Sequence, residues 1–201
     1  MDQDDIEILG RDRGYDGYVK VDKYHLRHRM HDGGWTGAFD RELVDRGHAA
    51  AVLPYDPVRD EVVLIEQFRI GAHVAGHPPW QIEIVAGIIE AGETAEDVAR
   101  REAVEECGCE IGEMVPICEM LASPGILTET IAIYCGRVDA DLAGGIHGVA
   151  KENKDIRAFT VPALEAVTWP ATGKITNSPT IIALQWLALN RDEVRTRWLS
   201  E

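Results

Sequence analysis

The sequence predicts an α+β chain, with mixed β-strands and interspersed helices stacked as an α/β/α sandwich and a small antiparallel β element at the N-terminus. Three observations lead there. Short apolar, β-branched runs such as Glu61–Phe68 (EVVLIEQF) recur along the chain. Helical segments with explicit start and stop signals fall between them, at 94–107 and from 178 onward. The 201 residues suffice for one core-forming domain with a small appendage.

In chain order, residues 18–30 (YVKVDKYHLRHRM) mix strand formers with polar residues, as a half-exposed strand does. Gly33-Gly34 marks a turn, and Trp35–Val44 reads as the returning strand. His25, His28 and His31 are spaced by three, which suits a metal only on a helix; on a strand they are surface histidines. His48–Leu53 is a strand ended by Pro54, and with Glu61–Phe68 it forms a hairpin over 48–68. Gly76–Pro79 is a loop and Trp80–Ala86 a single strand. Thr94 caps a helix through Cys107, Asp97 completes a capping box, and Gly108 stops it. Strands are expected at Met114–Leu121, Ile131–Val138 and Ile156–Val161, with a glycine-rich loop at Ala143–Gly148 and a short helix at Pro162–Val167. Ser178-Pro179 starts a last helix, Ser178 as cap, that ends near Asn190.

Apolar residues make up 45% and charged residues 27%, a globular composition. No apolar run approaches the roughly 20 residues that span a bilayer, and the acidic start lacks the features of a secretory signal, so a cytoplasmic protein without membrane partners is expected. The net charge of −15, with no long Lys/Arg run, argues against nucleic acid as a partner. An anionic substrate would need bound cations and a few placed arginines. Cys107, Cys109, Cys118 and Cys135 contain no Cys-x-x-Cys pair and read as reduced thiols.

The segment with chemistry is 87–109, GIIEAGETAEDVARREAVEECGC. At about 100° per residue, Glu102 and Glu106 share one face of its helix, one turn apart, and Glu105 flanks them. Like charges at this spacing destabilise a bare helix. A hard divalent cation reverses that term, and oxygen ligands suit Mg²⁺ or Mn²⁺ rather than zinc. Arg101 can pair with Glu105 at i,i+4, and Glu93 can orient Arg101 from the preceding loop.

This segment resembles the Nudix box, G-x5-E-x7-R-E-U-x-E-E-x-G-U with U apolar. Gly87, Glu93, Arg101, Glu102, Ala103, Glu105, Glu106, Gly108 and Cys109 stand in register, nine defined positions over 23 residues. Beyond the box, RGHAAAVLPYDPVRDEVVLIEQFRIG (46–71), LASPG (121–125), GIHG (145–148) and ITNSPTIIALQWL (175–187) resemble the bacterial ADP-ribose pyrophosphatases of this family, and Pro124 stands where that group carries a proline. The resemblance implies a Nudix-type sandwich over 46–201 and a dimerising β element over 1–45. It implies Glu102, Glu106, the nearby Glu105 and the carbonyl of Ala86 as metal ligands, and Glu152 as general base; Glu93 and Glu105, both nearer the box, are the competing bases, Glu105 the first of them. Tyr18, Arg41, Glu42, Arg46, Arg69, Ile88, Ser123, Pro124, Gly125 and Glu129 take substrate-contacting positions, with active sites shared across a homodimer. Two residues after Glu152, where relatives can carry a metal-binding acid, this chain has Lys154. That departure leaves the number of metals open, and Lys154 can instead touch a phosphate. The implied reaction is metal-dependent hydrolysis of ADP-ribose to AMP and ribose 5-phosphate. Another nucleoside-diphosphate sugar, ADP-glucose or GDP-mannose, is the alternative substrate. A non-catalytic ADP-ribose sensor is disfavoured because all three box glutamates are kept.

Overall fold

The computed structural model describes residues 5–148 and 153–200, so Glu152 lies outside the described residues. The chain divides into two compact units, Met1–His48 with Leu121–Thr130, and Ala49–Met120 with Ile131–Glu201.

The smaller unit is a three-stranded antiparallel sheet in the order β1 (Ile6–Asp16), β2 (Lys20–His28), β3 (Phe39–Asp45). β2 and β3 follow the expected pair of strands. β1 was not legible as a strand: it lies at an edge, its side chains are mostly exposed, and shifts of register beside Gly10 and Gly14 interrupt any alternation. Asp22, buried near the start of the central strand β2, accepts from Arg11 Nε at 3.1 Å and pairs also with Arg13, so its charge is compensated. The 121–130 segment is held to β3 by a bridge between Val44 and Leu127, with Val44 N–H donating to the Ile126 carbonyl.

In the larger unit an eight-stranded mixed sheet is covered on both faces. Its spine runs β10 (Gly145–His147), β11 (Ile156–Pro162), β5 (Glu61–Phe68), β4 (Ala49–Asp56), β9 (Thr130–Arg137), β8 (Met114–Leu121). β4 is buried along its whole length, so both its faces are apolar rather than one. Ala51, Leu53 and Tyr55 point to one helical layer and Val52 to the other, the period of two dividing a single strand between two cores. One layer is α3 (Ala163–Ala166), α4 (Trp169–Thr172) and α5 (Ser178–Leu199); the other is α2 (Ala95–Cys107).

Several boundaries differ from the expectations. β4 continues through Pro54 to Asp56. The Tyr55 carbonyl accepts from Val138 N–H on the β9 side. Alternation therefore turns Pro54 toward β5, where pairing extends only over Tyr55–Val62 and Asp56–Glu61, and its missing N–H leaves no ladder bond unmade. The hairpin is thus real only at its tip. Further along, β4 and β5 splay, and the expected single strand 80–86 enters the gap as two: β6 (Trp80–Glu83) on β5 and β7 (Val85–Ile88) on β4. At the break the Ile84 N–H donates to the buried Thr180 hydroxyl at 2.9 Å. A one-turn helix, α1 (Ile70–Val74), precedes the 76–79 loop.

The glycine-rich 143–148 stretch includes strand β10, its backbone recruited by pairing with β11. In α5 the cap is Asn177, whose side chain accepts from Thr180 N–H at 3.0 Å, and Ser178 is the first helical residue. The helix runs on to Leu199 rather than ending near Asn190. Its last turns are kept by tertiary contacts: Val194 and Trp198 are buried, Arg191 pairs with Asp60, and Arg195 donates to the Pro57 carbonyl. All four cysteines are free thiols.

Candidate active site

Helix α2 begins as expected, with both halves of the Thr94/Asp97 capping box present, and ends on Gly108 at φ 71°. A side chain there would adopt the left-handed region and meet the His147 ring at 3.1 Å. The helix buries Val98, Ala99, Glu102, Ala103, Glu106 and Cys107. The apolar members seal it to the sheet; the two glutamates are inside with them. Glu102 is 5% exposed and Glu106 1%, unusual for carboxylates unless charge is supplied nearby.

Strand β7 forms the opposing wall. Glu106 Oε2 accepts weakly from Ala86 N–H at 3.4 Å. Gly87 lies so close to Glu102 that a Cβ would sit 2.0 Å from Oε1 and 2.4 Å from Cγ. Any side chain here must displace the glutamate that fills the cradle.

Arg101 is held by Glu93 through two bonds, 2.8 Å from Nε and 3.1 Å from NH2, and donates from NH1 to Glu102 Oε1 at 2.6 Å. Glu105, more exposed, stands 3.6 Å from the same guanidinium. Arg101 and then the Glu90 N–H hold the Glu93 carboxyl below its ordinary range. The other oxygen of Glu102, Oε2, is buried without a hydrogen-bond partner among the described residues. Glu106 faces Lys154, Nζ to Oε1 3.8 Å. Burial pushes the Glu106 carboxyl up to about 7 and the charge of Glu102 adds to the rise, while Lys154, the Ala86 N–H and Arg69 oppose it.

Arg69 is clamped by Glu83, with Nε to Oε1 3.1 Å and NH2 to Oε2 2.8 Å, and Gln67 Nε2 donates to the same carboxylate at 3.2 Å. Sequence reasoning missed Glu83 and Gln67. The signal available was a lone acid between Ile82 and Ile84, buried in β6 opposite Ile65. Ile88 lies in β7 opposite Ala49.

The remaining expected substrate residues belong to the smaller unit. Tyr18 is 84% exposed in the turn between β1 and β2. Arg41 and Glu42 lie on β3, the Arg41 guanidinium 4.4 Å from the centre of the Phe39 ring. Arg46 pairs with the buried Glu129 at 3.2 Å. The Ser123 carbonyl accepts from Ile126 and Leu127 N–H, closing the turn that contains Pro124 and Gly125.

The carboxylate pair fits a hard divalent cation in its chemistry: two buried acids, an oxygen unpartnered among the described residues and a glycine wall. Among the described residues no three His, Cys, Asp or Glu side chains converge as a closed cage, and Arg101 and Lys154 each face an oxygen of the pair.

A match to the NUDIX domain model spans residues 45–190, so the chain belongs to the Nudix family of hydrolases. Within it, the chain is 48% identical over 196 residues to the ADP-ribose pyrophosphatase of Escherichia coli (strain K12), covering 98% of this chain and 94% of that protein. It is 42% identical to the ADP-ribose pyrophosphatase of Haemophilus influenzae, covering 98% and 92%. The GDP-mannose pyrophosphatase of Citrobacter koseri is 37% identical over 73% of this chain and 76% of its own length. A crystal structure described as an ADP compounds hydrolase superposes with a TM-score of 0.72 over 94% of this chain and 96% of the other, at 16% identity, a likeness of fold. Nudix hydrolases generally use divalent metal ions. No helix among the described residues is long and apolar enough to cross a membrane.

Proposed function

We propose that this chain hydrolyses the diphosphate bond of ADP-ribose, giving AMP and ribose 5-phosphate, with Mg²⁺ as the working cation and Mn²⁺ as a substitute. The observation that carries the reading is the pair of buried carboxylates, Glu102 and Glu106, on one face of α2 against the glycine wall of β7. The near full-length likeness to ADP-ribose pyrophosphatases supports the choice of substrate.

In this reading Glu102, Glu106 and the Ala86 carbonyl hold the cation, with Glu105 at the mouth. A divalent ion there supplies neutralisation of diphosphate charge and activation of water. The protein does the rest. Arg101, fixed by Glu93, keeps Glu102 in one orientation. Arg69, locked by Glu83, offers a preoriented cation to an anionic substrate. Glu152 takes the proton from the attacking water. Tyr18, Arg41, Glu42, Arg46, Ile88, the Ser123-Pro124-Gly125 turn and Glu129 contact the nucleoside and sugar. The N-terminal β element, residues 1–45, pairs with a second copy, and each active site draws on both chains. Ile6, Ile8 and Tyr15 on β1, each at least half exposed, support that pairing. The protein works in the cytoplasm.

The test is a substrate panel with Mg²⁺: ADP-ribose, ADP-glucose and GDP-mannose. ADP-ribose should give the highest kcat/KM, and a chelator should abolish turnover. Faster hydrolysis of either rival would reassign the substrate. Full turnover in chelator would refute the metal site.

A further inference from the structure

The two buried carboxylates have different internal cations. Arg101 is fixed by the fork of hydrogen bonds from Glu93, and its planar guanidinium cannot leave Glu102 without breaking them. Lys154 is held otherwise. It sits on the short stretch between Asn153 and the start of β11, its side chain is a third exposed, and its ammonium reaches Glu106 at 3.8 Å, the loose end of ion-pair distances.

The Glu106 carboxylate, by contrast, has nowhere to go. It is 1% exposed, with Glu102 one turn away and, among the described residues, only a long N–H contact from Ala86 on its other oxygen. A carboxylate in that position needs a cation, and among the described residues the Lys154 ammonium stands at ion-pair distance from it.

We propose that Lys154 is a built-in counter-ion of Glu106, which a divalent cation must displace to reach that carboxylate, so that Lys154 sets the cation affinity of the site. The inference rests on the reading of Glu102 and Glu106 as cation ligands. Two effects act in one direction. Lys154 stabilises the cation-free state by compensating Glu106, and its positive charge repels an incoming divalent ion at ion-pair range. The device makes the metal-free protein more tolerant of its buried acids and its cation binding weaker.

The experiment measures Mn²⁺ binding by calorimetry and by electron paramagnetic resonance, without substrate, on the full chain. Lys154→Met keeps the stem and removes the charge, and should tighten Mn²⁺ by about tenfold or more. Lys154→Arg keeps the charge and should stay within about threefold of the parent. In thermal melts, Lys154→Met should lower the metal-free Tm and enlarge the rise that Mn²⁺ produces. A Lys154→Met protein that binds Mn²⁺ no more tightly than the parent, while Glu106→Gln abolishes binding, overturns this inference and leaves the site intact. Mn²⁺ binding that is unchanged in Glu106→Gln, or absent from the parent, overturns the reading of the site and this inference with it.

Discussion

Gly87→Ala tests how the site is built, because the geometry says what the added methyl must meet. Its Cβ would lie 2.0, 2.3 and 2.4 Å from Oε1, Cδ and Cγ, all atoms of Glu102. The φ of Gly87 lies outside the left-handed region, so alanine suffers no backbone strain and the whole effect is contact. Glu102 cannot yield freely: it is buried and bonded to Arg101 NH1 at 2.6 Å. Overpacking of this kind costs about 1–3 kcal/mol. At roughly 2–4 °C per kcal/mol for a chain of this size, the melting temperature should fall by several degrees. The easier escape is for Glu102 to swing off the β7 wall, which moves a proposed ligand. Mn²⁺ affinity should then fall by about 10- to 100-fold, with activity following. Gly71→Ala, where a Cβ meets nothing within 4 Å, is the control. In a Glu102→Ala background the obstructing atoms are gone, so Gly87→Ala should add little, and the two losses should be strongly non-additive. Calorimetric melts and Mn²⁺ titration of the parent and these four variants decide it. Parental Mn²⁺ affinity in Gly87→Ala, or the same loss of stability with and without Glu102, would refute the reasoning.

Two other outcomes follow from the proposed function. Glu152→Gln should lower kcat by about 10²- to 10⁴-fold with KM little changed, the signature of a base that acts on the transition state; a variant within about threefold of the parent would move the role to Glu105. Sedimentation equilibrium should find a dimer, and a fully active monomer at assay concentration would separate the N-terminal β element from catalysis.

Helix α2 was legible to the residue because its signals are local. The capping box, the Gly108 stop and the i,i+4 glutamates involve atoms a turn apart, and the chain carries them wherever it folds. The family was legible for a related reason: the nine box positions must keep strict spacing to bring Gly87 of β7 against Glu102. The whole-length strands β5, β8 and β11 were likewise announced by their apolar runs.

What escaped the sequence depends on distant partners. The division of 80–88 into β6 and β7 exists because β4 and β5 splay, and Thr180, almost a hundred residues away, takes the N–H at the break. β10 is a strand only because β11 lies beside it. The last turns of α5 persist because Asp60 and the Pro57 carbonyl hold Arg191 and Arg195. At the site, the sequence by itself determined that Glu102, Glu105 and Glu106 stand together on a helix. Only the tertiary structure decided that Glu102 and Glu106 are sealed inside and Glu105 is not, that Glu83 and Gln67 lock Arg69, and that Lys154 reaches Glu106. The physical reason is range: hydrogen bonds along a helix are set by neighbours in sequence, whereas burial, and the charge compensation it demands, is set by whatever the fold packs on top.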